Sequence, residues 1–218
     1  MYKKFMENGR SMIEMLGVLA IIAVLSVGGI AGYSKAMEKY KINKLITDYN
    51  NLIFGLLEYR QNLQEQLKGQ VFLSDMLISL NLIPNTWQKI SSQYMQDNYG
   101  NFIGTFYREY SNAYEYASPE ESGIIIDFIF GGLTENDKGE KIAANFNGNL
   151  CFEVLDNLAV PLHYTIRGNL MPGGNGYYYG DTFCRTGRPC LNTMTLSKMK
   201  SMCSSCDKTK RCALTIIL

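Results

Sequence analysis

Histidine is almost missing from this sequence: His163 is the one copy, and Trp87 is the one tryptophan. A single imidazole excludes histidine-rich zinc centres and leaves little for histidine acid–base chemistry. A dominant charge is missing too. Lysine and arginine number 21 against 20 acidic residues, a net charge of +1. No electrostatic field therefore favours nucleic acid as a main partner. No cysteine precedes residue 151, and no charged residue lies between Met15 and Ser34. There is no phosphate-binding glycine loop and no internal repeat. Asp127, Glu109 and Glu115 are scattered, and His163 lies in an apolar, strand-like pattern that suits a satisfied sheet residue better than a base. No catalytic constellation emerges, so no enzyme activity is expected and no cofactor or metal is implied.

What is present is unevenly spread. The chain has 218 residues, 46 % of them hydrophobic, enough for one globular domain plus an extra element. The uncharged run from Met15 to Ser34 has the length of a membrane-spanning helix. Between Met12 and Tyr33 the one charge is Glu14. A carboxylate in the hydrocarbon layer costs a few kcal/mol on insertion scales, so it needs a partner or a role. Residues 1–9 are short and polar, with Lys3 and Lys4. A secretory signal peptide fits poorly. The apolar run is longer than a usual signal core, and Ala31-Gly32-Tyr33 is a weak cleavage site. A plain signal anchor, carrying a monomeric extracytoplasmic binding module, fits the length but leaves Glu14 unexplained.

The six cysteines are Cys151, Cys184, Cys190, Cys203, Cys206 and Cys212. An even count behind a membrane segment reads as a disulfide framework in an oxidising compartment. Cys203-x-x-Cys206 also invites a redox reading or, with Cys212 and Cys190 or Cys184, a zinc knuckle. A redox pair needs a helix N-terminus in a βαβ setting, and the surrounding Ser, Lys and Asp residues do not offer one. Four thiolate ligands would leave two cysteines over. Structural disulfides are the expectation.

The segment Gly9-Arg10-Ser11-Met12-Ile13-Glu14, followed by MLGVLAIIAVLSVGGIAGY, resembles the class III signal of type IV prepilins and pseudopilins. The resemblance covers roughly residues 8–34. It implies cleavage by a prepilin peptidase after Gly9, methylation of the new terminal amine on Arg10, and an assembly role for Glu14. The family usually has Phe or Met where this chain has Arg10. The implied partner of Glu14 is the terminal ammonium of a neighbouring subunit, which answers the need of a buried carboxylate for a cation. Also implied are a helical homo-oligomeric filament, the inner membrane and the pilus assembly machinery as partners.

The resemblance bears on topology and on the cysteines as well. Lys35, Lys39, Lys41 and Lys44 outnumber the basic leader, so simple charge counting would keep the C-terminal side inside. Long domains translocate regardless of flanking charge, and the cysteines argue for an outside head. In the family a disulfide often pins the C-terminal region to the sheet. That implies Cys151 with Cys212, leaving Cys184 with Cys190 and Cys203 with Cys206 as local loops.

Beyond residue 34, Ile42, Leu45, Ile46, Tyr49, Leu52, Ile53 and Leu56 recur at steps of three and four, extended by Leu63 and Leu67. Lys41, Lys44, Asp48, Asn51, Glu58, Gln61 and Glu65 fill the other faces, and Gly69 is a plausible stop. Helix is therefore expected from Met12 to Lys68, about 85 Å long at 1.5 Å per residue. Gly28, Gly29 and Gly32 either loosen it or permit close helix approach. Residues 71–83 predict a second helix ending before Pro84. The aromatic stretch 94–116 is ambiguous and favours a strand start. Residues 123–130, 161–168, 176–183 and 212–218 read as strands, 135–146 as helix, and Gly173 to Gly176 as a turn.

The resulting expectation is an α+β chain: a leader (1–9), a transmembrane or filament-core helix (10–34), its amphipathic continuation (35–68), and a disulfide-bearing head (69–218) with an antiparallel sheet. The order resembles pilin head domains, and the helix ending at NLIP resembles the type IVb branch. Function is expected to be structural, in a type IV pilus or a type II secretion pseudopilus, with adhesion among the open roles. The stapled, basic segment 184–218 is either an exposed filament surface or bracing.

Overall fold

The computed structural model describes residues 12–109, 122–135, 141–170, 176–206 and 212–218. The leader, Gly9, Arg10, Tyr110, Tyr114, Glu115, Tyr116 and the Gly173–Asn175 part of the expected turn lie outside the described residues. The long helix forms as the apolar pattern predicts: α1 spans Met12–Gln66. It runs unbroken through Gly28, Gly29 and Gly32, where an added Cβ would meet nothing within 4 Å. Past its end Gly69 takes a φ of 69°, the left-handed value that turns a chain out of a helix.

The chain divides into two compact units between Lys44 and Leu45, inside α1. In the second unit, α1 buries Leu45, Tyr49, Leu52, Ile53, Leu56 and Leu63, the stripe read from spacing. Each such side chain stabilises the fold by about 1.5–3 kcal/mol relative to exposure. Asp48 is a correction. Expected on a polar face, it is buried at 5 % exposure, because it lies three residues after Leu45 and four before Leu52 on the same face.

This part of α1 packs on an antiparallel sheet. Its strands are β1 (Gln70–Phe72), β2 (Gln88–Lys89), β3 (Tyr94–Gln96), β4 (Phe102–Arg108), β5 (Gly123–Ile129), β8 (Gly168–Leu170), β9 (Tyr177–Tyr179) and β10 (Leu214–Ile217). The order is β2-β3-β4-β5-β10-β8-β9, and β1 shares a flank of β4 with β3. The last strand thus sits in the middle, between β5 and β8. The run GIIIDFIF does not alternate in polarity because both faces of β5 are covered. Phe128 meets Tyr49 of α1 at a ring distance of 4.7 Å, while Ile125 packs with Phe106, Ile217 and Tyr177.

Four local expectations are corrected. The helix over 71–83 shrinks to α2 (Ser74–Ser79), because Val71 and Phe72 pair with Tyr107 and Phe106 of β4. The helix over 135–146 is instead a hairpin, β6 (Leu133–Glu135) with β7 (Lys141–Ala143). Gly131 and Gly132 lead from β5 into β6 with φ of 83° and 85°, and their carbonyls accept from the Asn145 and Ala144 amides that follow β7. A Cβ on Gly131 would lie 1.5 Å from the Asn145 carbonyl oxygen, so no other residue fits. The strand over 161–168 is mostly turn, with only Gly168 reaching β8, and 176–183 contributes the three residues of β9. Between them and β7, helix α3 (Gly148–Val154) runs into a π-helical turn, Leu155–Ala159. A fourth helix, α4 (Leu196–Ser204), precedes β10.

The register aligns Thr105, Ile126, Ile216, Asn169 and Tyr178 in one row across the sheet. Asn169 is fully buried, and neither atom of its amide finds a hydrogen-bond partner among the described residues. An unsatisfied buried amide costs about 1–3 kcal/mol. Asn169→Leu is therefore expected to raise the unfolding free energy by about that amount, read from urea unfolding of the full chain in micelles. A loss of stability would mean that the amide is satisfied.

Candidate functional site

The first unit is defined by exposure. Along α1 the apolar side chains from Met12 to Tyr33 are exposed, Val24 at 73 % and Leu25 at 69 %. The uncharged stretch is long and apolar enough to cross a membrane. At 1.5 Å per residue its twenty residues, Met15–Ser34, span about 30 Å, the hydrocarbon thickness. A solvated surface of this kind is unfavourable by roughly 25 cal/mol per Å2 of apolar area, so it needs lipid or protein around it. Glu14 lies in the first turn of α1 and is exposed.

The second unit is defined by covalent staples. All six cysteines are paired: Cys151 with Cys203, Cys184 with Cys190, and Cys206 with Cys212. The Cys184–Cys190 loop is as expected. The Cys151–Cys212 and Cys203–Cys206 pairings are overturned. Cys151 sits in α3 and Cys203 in α4, so their bridge clamps helix to helix rather than C-terminus to sheet. Cys203 and Cys206 are neighbours in a CxxC spacing but belong to different bridges, which removes that pair as a dithiol redox centre or zinc ligand set.

Among the residues weighed for chemistry, His163 is in a turn, not a strand. Its Nδ1 lies 2.8 Å from Asp181 Oδ1, which also accepts from Asn192 Nδ2 at 3.1 Å. Asp127 accepts from the Thr215 hydroxyl across the sheet. Glu109 binds the Gly69 amide at 2.9 Å and Lys68 at 3.1 Å. The Gly69 amide bond, then Lys68, holds its carboxyl below the usual carboxylate range. These three carboxylates are spent on separate structural contacts.

No family model, curated protein or solved structure matches this chain. What remains is the arrangement itself. A long apolar N-terminal helix followed by an antiparallel sheet is a pilin-like architecture. The apolar helix and the disulfides point to a membrane-associated, extracytoplasmic setting.

Two helices of the head, α3 and α4, are not among the elements expected from the sequence. Both carried a signal. Asn147 and Thr195 are N-caps whose side chains accept from the Leu150 and Lys198 amides at 3.0 and 3.3 Å. Leu150, Cys151, Val154, Leu155 and Leu158 behind the first cap recur at helical steps and are buried.

Proposed function

We propose that this chain is a structural subunit of a type IV pilus or a related filament such as a type II secretion pseudopilus. It is cleaved after Gly9 by a prepilin peptidase and polymerises through its N-terminal helix. The carrying observation is the exposed, uncharged stretch of α1, with Glu14 five residues after Gly9, continuous in one helix with the stripe that builds the head core. Such a surface is stable in lipid before assembly and in a bundle of like helices after it. Glu14, costly in either apolar setting, gains a cation when cleavage frees the amine of Arg10. The head is extracytoplasmic, consistent with three bridges, and the chain carries no catalysis and no cofactor in this reading.

Intact mass and terminal sequencing of protein from native membranes test it. A methylated Arg10 terminus is expected. A chain that still begins at Met1 in cells with active peptidase overturns the reading and favours a signal-anchored binding module. A mutation separates assembly from folding. Glu14→Ala is expected to leave cleavage and head stability unchanged while weakening subunit association by about 3 kcal/mol, roughly 100-fold. Filament yield in sheared fractions, counted by electron microscopy, is the readout. Wild-type yield from Glu14→Ala would refute the carboxylate's role.

A further inference from the structure

A groove of about 750 Å3 opens in the head between the segment leading into α3 and the last turns of α4. Its volume falls in the range of small-ligand sites, about 300–1,000 Å3. Its walls are held together covalently, since Cys203 lines it and is bonded to Cys151. The two helices approach closely at Gly148, where an added Cβ would lie 3.1 Å from the Cys203 carbonyl oxygen.

The lining is mixed in a particular way. Asn145, Asn147 and Asn149 are exposed at alternate positions along one lip. Phe146 and Phe152 are half-buried between and after them. The Phe146 ring is fixed against buried Phe130, with centroids 6.2 Å apart. Glu153 and Lys200 add one charge of each sign. Two polar groups are already oriented: the Asn147 side-chain oxygen Oδ1, which accepts from the Leu150 amide in capping α3, and the Glu153 carboxylate, which accepts from Asn157 Nδ2 at 2.8 Å.

This chemistry selects among ligand classes. Balanced charge gives no attraction for a polyanion. A lip of amides is too polar for a purely apolar ligand. An extended peptide would want an edge strand, and the groove is walled by helices and a loop. Side-chain amides each donate and accept, and with two phenylalanine side chains lining the same groove they match a molecule rich in hydroxyls around a patch of C–H surface. We propose that the groove is a saccharide site, taking a neutral hexose or N-acetylhexosamine unit of a surface glycan. It makes the head a receptor as well as a building block, and it does not depend on the filament reading.

The test is saturation-transfer NMR on the full chain in micelles of a detergent without a sugar headgroup. The probes are lactose, maltotriose and N,N′-diacetylchitobiose, with sialyllactose and a heparin oligosaccharide as anionic comparisons. Saturable transfer to at least one neutral probe is expected, with a Kd on the order of 1 mM. Phe152→Ala and Asn145→Ala are each expected to weaken it roughly 10-fold, while Tyr164→Ala, outside the groove, leaves it unchanged. Asn145 is exposed, so that variant reports even where Phe152→Ala disturbs folding. No saturable binding to any neutral probe, binding to anionic probes alone, or binding indifferent to both groove substitutions overturns the proposal.

Discussion

Replacing Asp97 with alanine is expected to cost the head about 3–5 kcal/mol. Asp97 sits in the β3–β4 turn at 5 % exposure, and four donors converge on its carboxylate. Oδ1 accepts from the backbone amides of Tyr99 and Asn101 at 2.8 and 2.9 Å. Oδ2 accepts from the Tyr49 hydroxyl at 2.6 Å and the Asn101 side chain at 2.7 Å. Asn101 in turn accepts from the Gly131 amide at 2.9 Å, so one carboxylate links α1, the turn and the end of β5. Alanine strands the Tyr49 hydroxyl and the Asn101 amide in a dry core, and that stranding makes the loss large. Tyr49→Phe removes only the donor and is expected to cost less, about 1.5–3 kcal/mol. Urea unfolding of the full chain in micelles ranks the two. A loss below about 1 kcal/mol for Asp97→Ala would show the network to be dispensable.

The same network sets an alkaline limit. Burial, then the charge and hydrogen bond of Asp97, push the Tyr49 hydroxyl well above its ordinary value. An unfolded tyrosine ionises near pH 10. The unfolded chain thus releases a proton that the folded one retains. The contribution is intact below about pH 10 and is lost as pH rises further. Tyr49→Phe is expected to flatten that part of the stability profile.

The second large effect belongs to the Cys151–Cys203 bridge. The bridge spans 52 residues, against 6 for each of the other two. Loop-closure entropy assigns about 4 kcal/mol to the long loop and about 2 kcal/mol to each short one. The double variant Cys151→Ser, Cys203→Ser is expected to lower the unfolding free energy by about 4 kcal/mol, and Cys184→Ser, Cys190→Ser by about half that. The long bridge also joins two helices that otherwise meet through a glycine and a few side chains, so the groove beside it should loosen with it. Equal losses for the two double variants would contradict this ordering.

Local chemistry by itself determined the parts of this protein that depend on neighbours in sequence. An uncharged twenty-residue run must be a span or a buried helix, and steps of three and four from Leu45 to Leu63 can bury only one face of a helix. The β-branched run at 123–129 leaves little but strand. The cysteine count announced bridges without saying which, because pairing is a distance between residues that the chain brings together from far apart. Only the tertiary structure decided that Cys151 meets Cys203. It alone paired Tyr49 with Asp97 across 48 residues and paired 133–135 with 141–143 as a hairpin, with Gly131 packed against the Asn145 carbonyl. Propensity and periodicity act over a few residues. Register, buried polar networks and grooves arise where distant segments compete for the same core, and a single row of letters does not encode those distances locally.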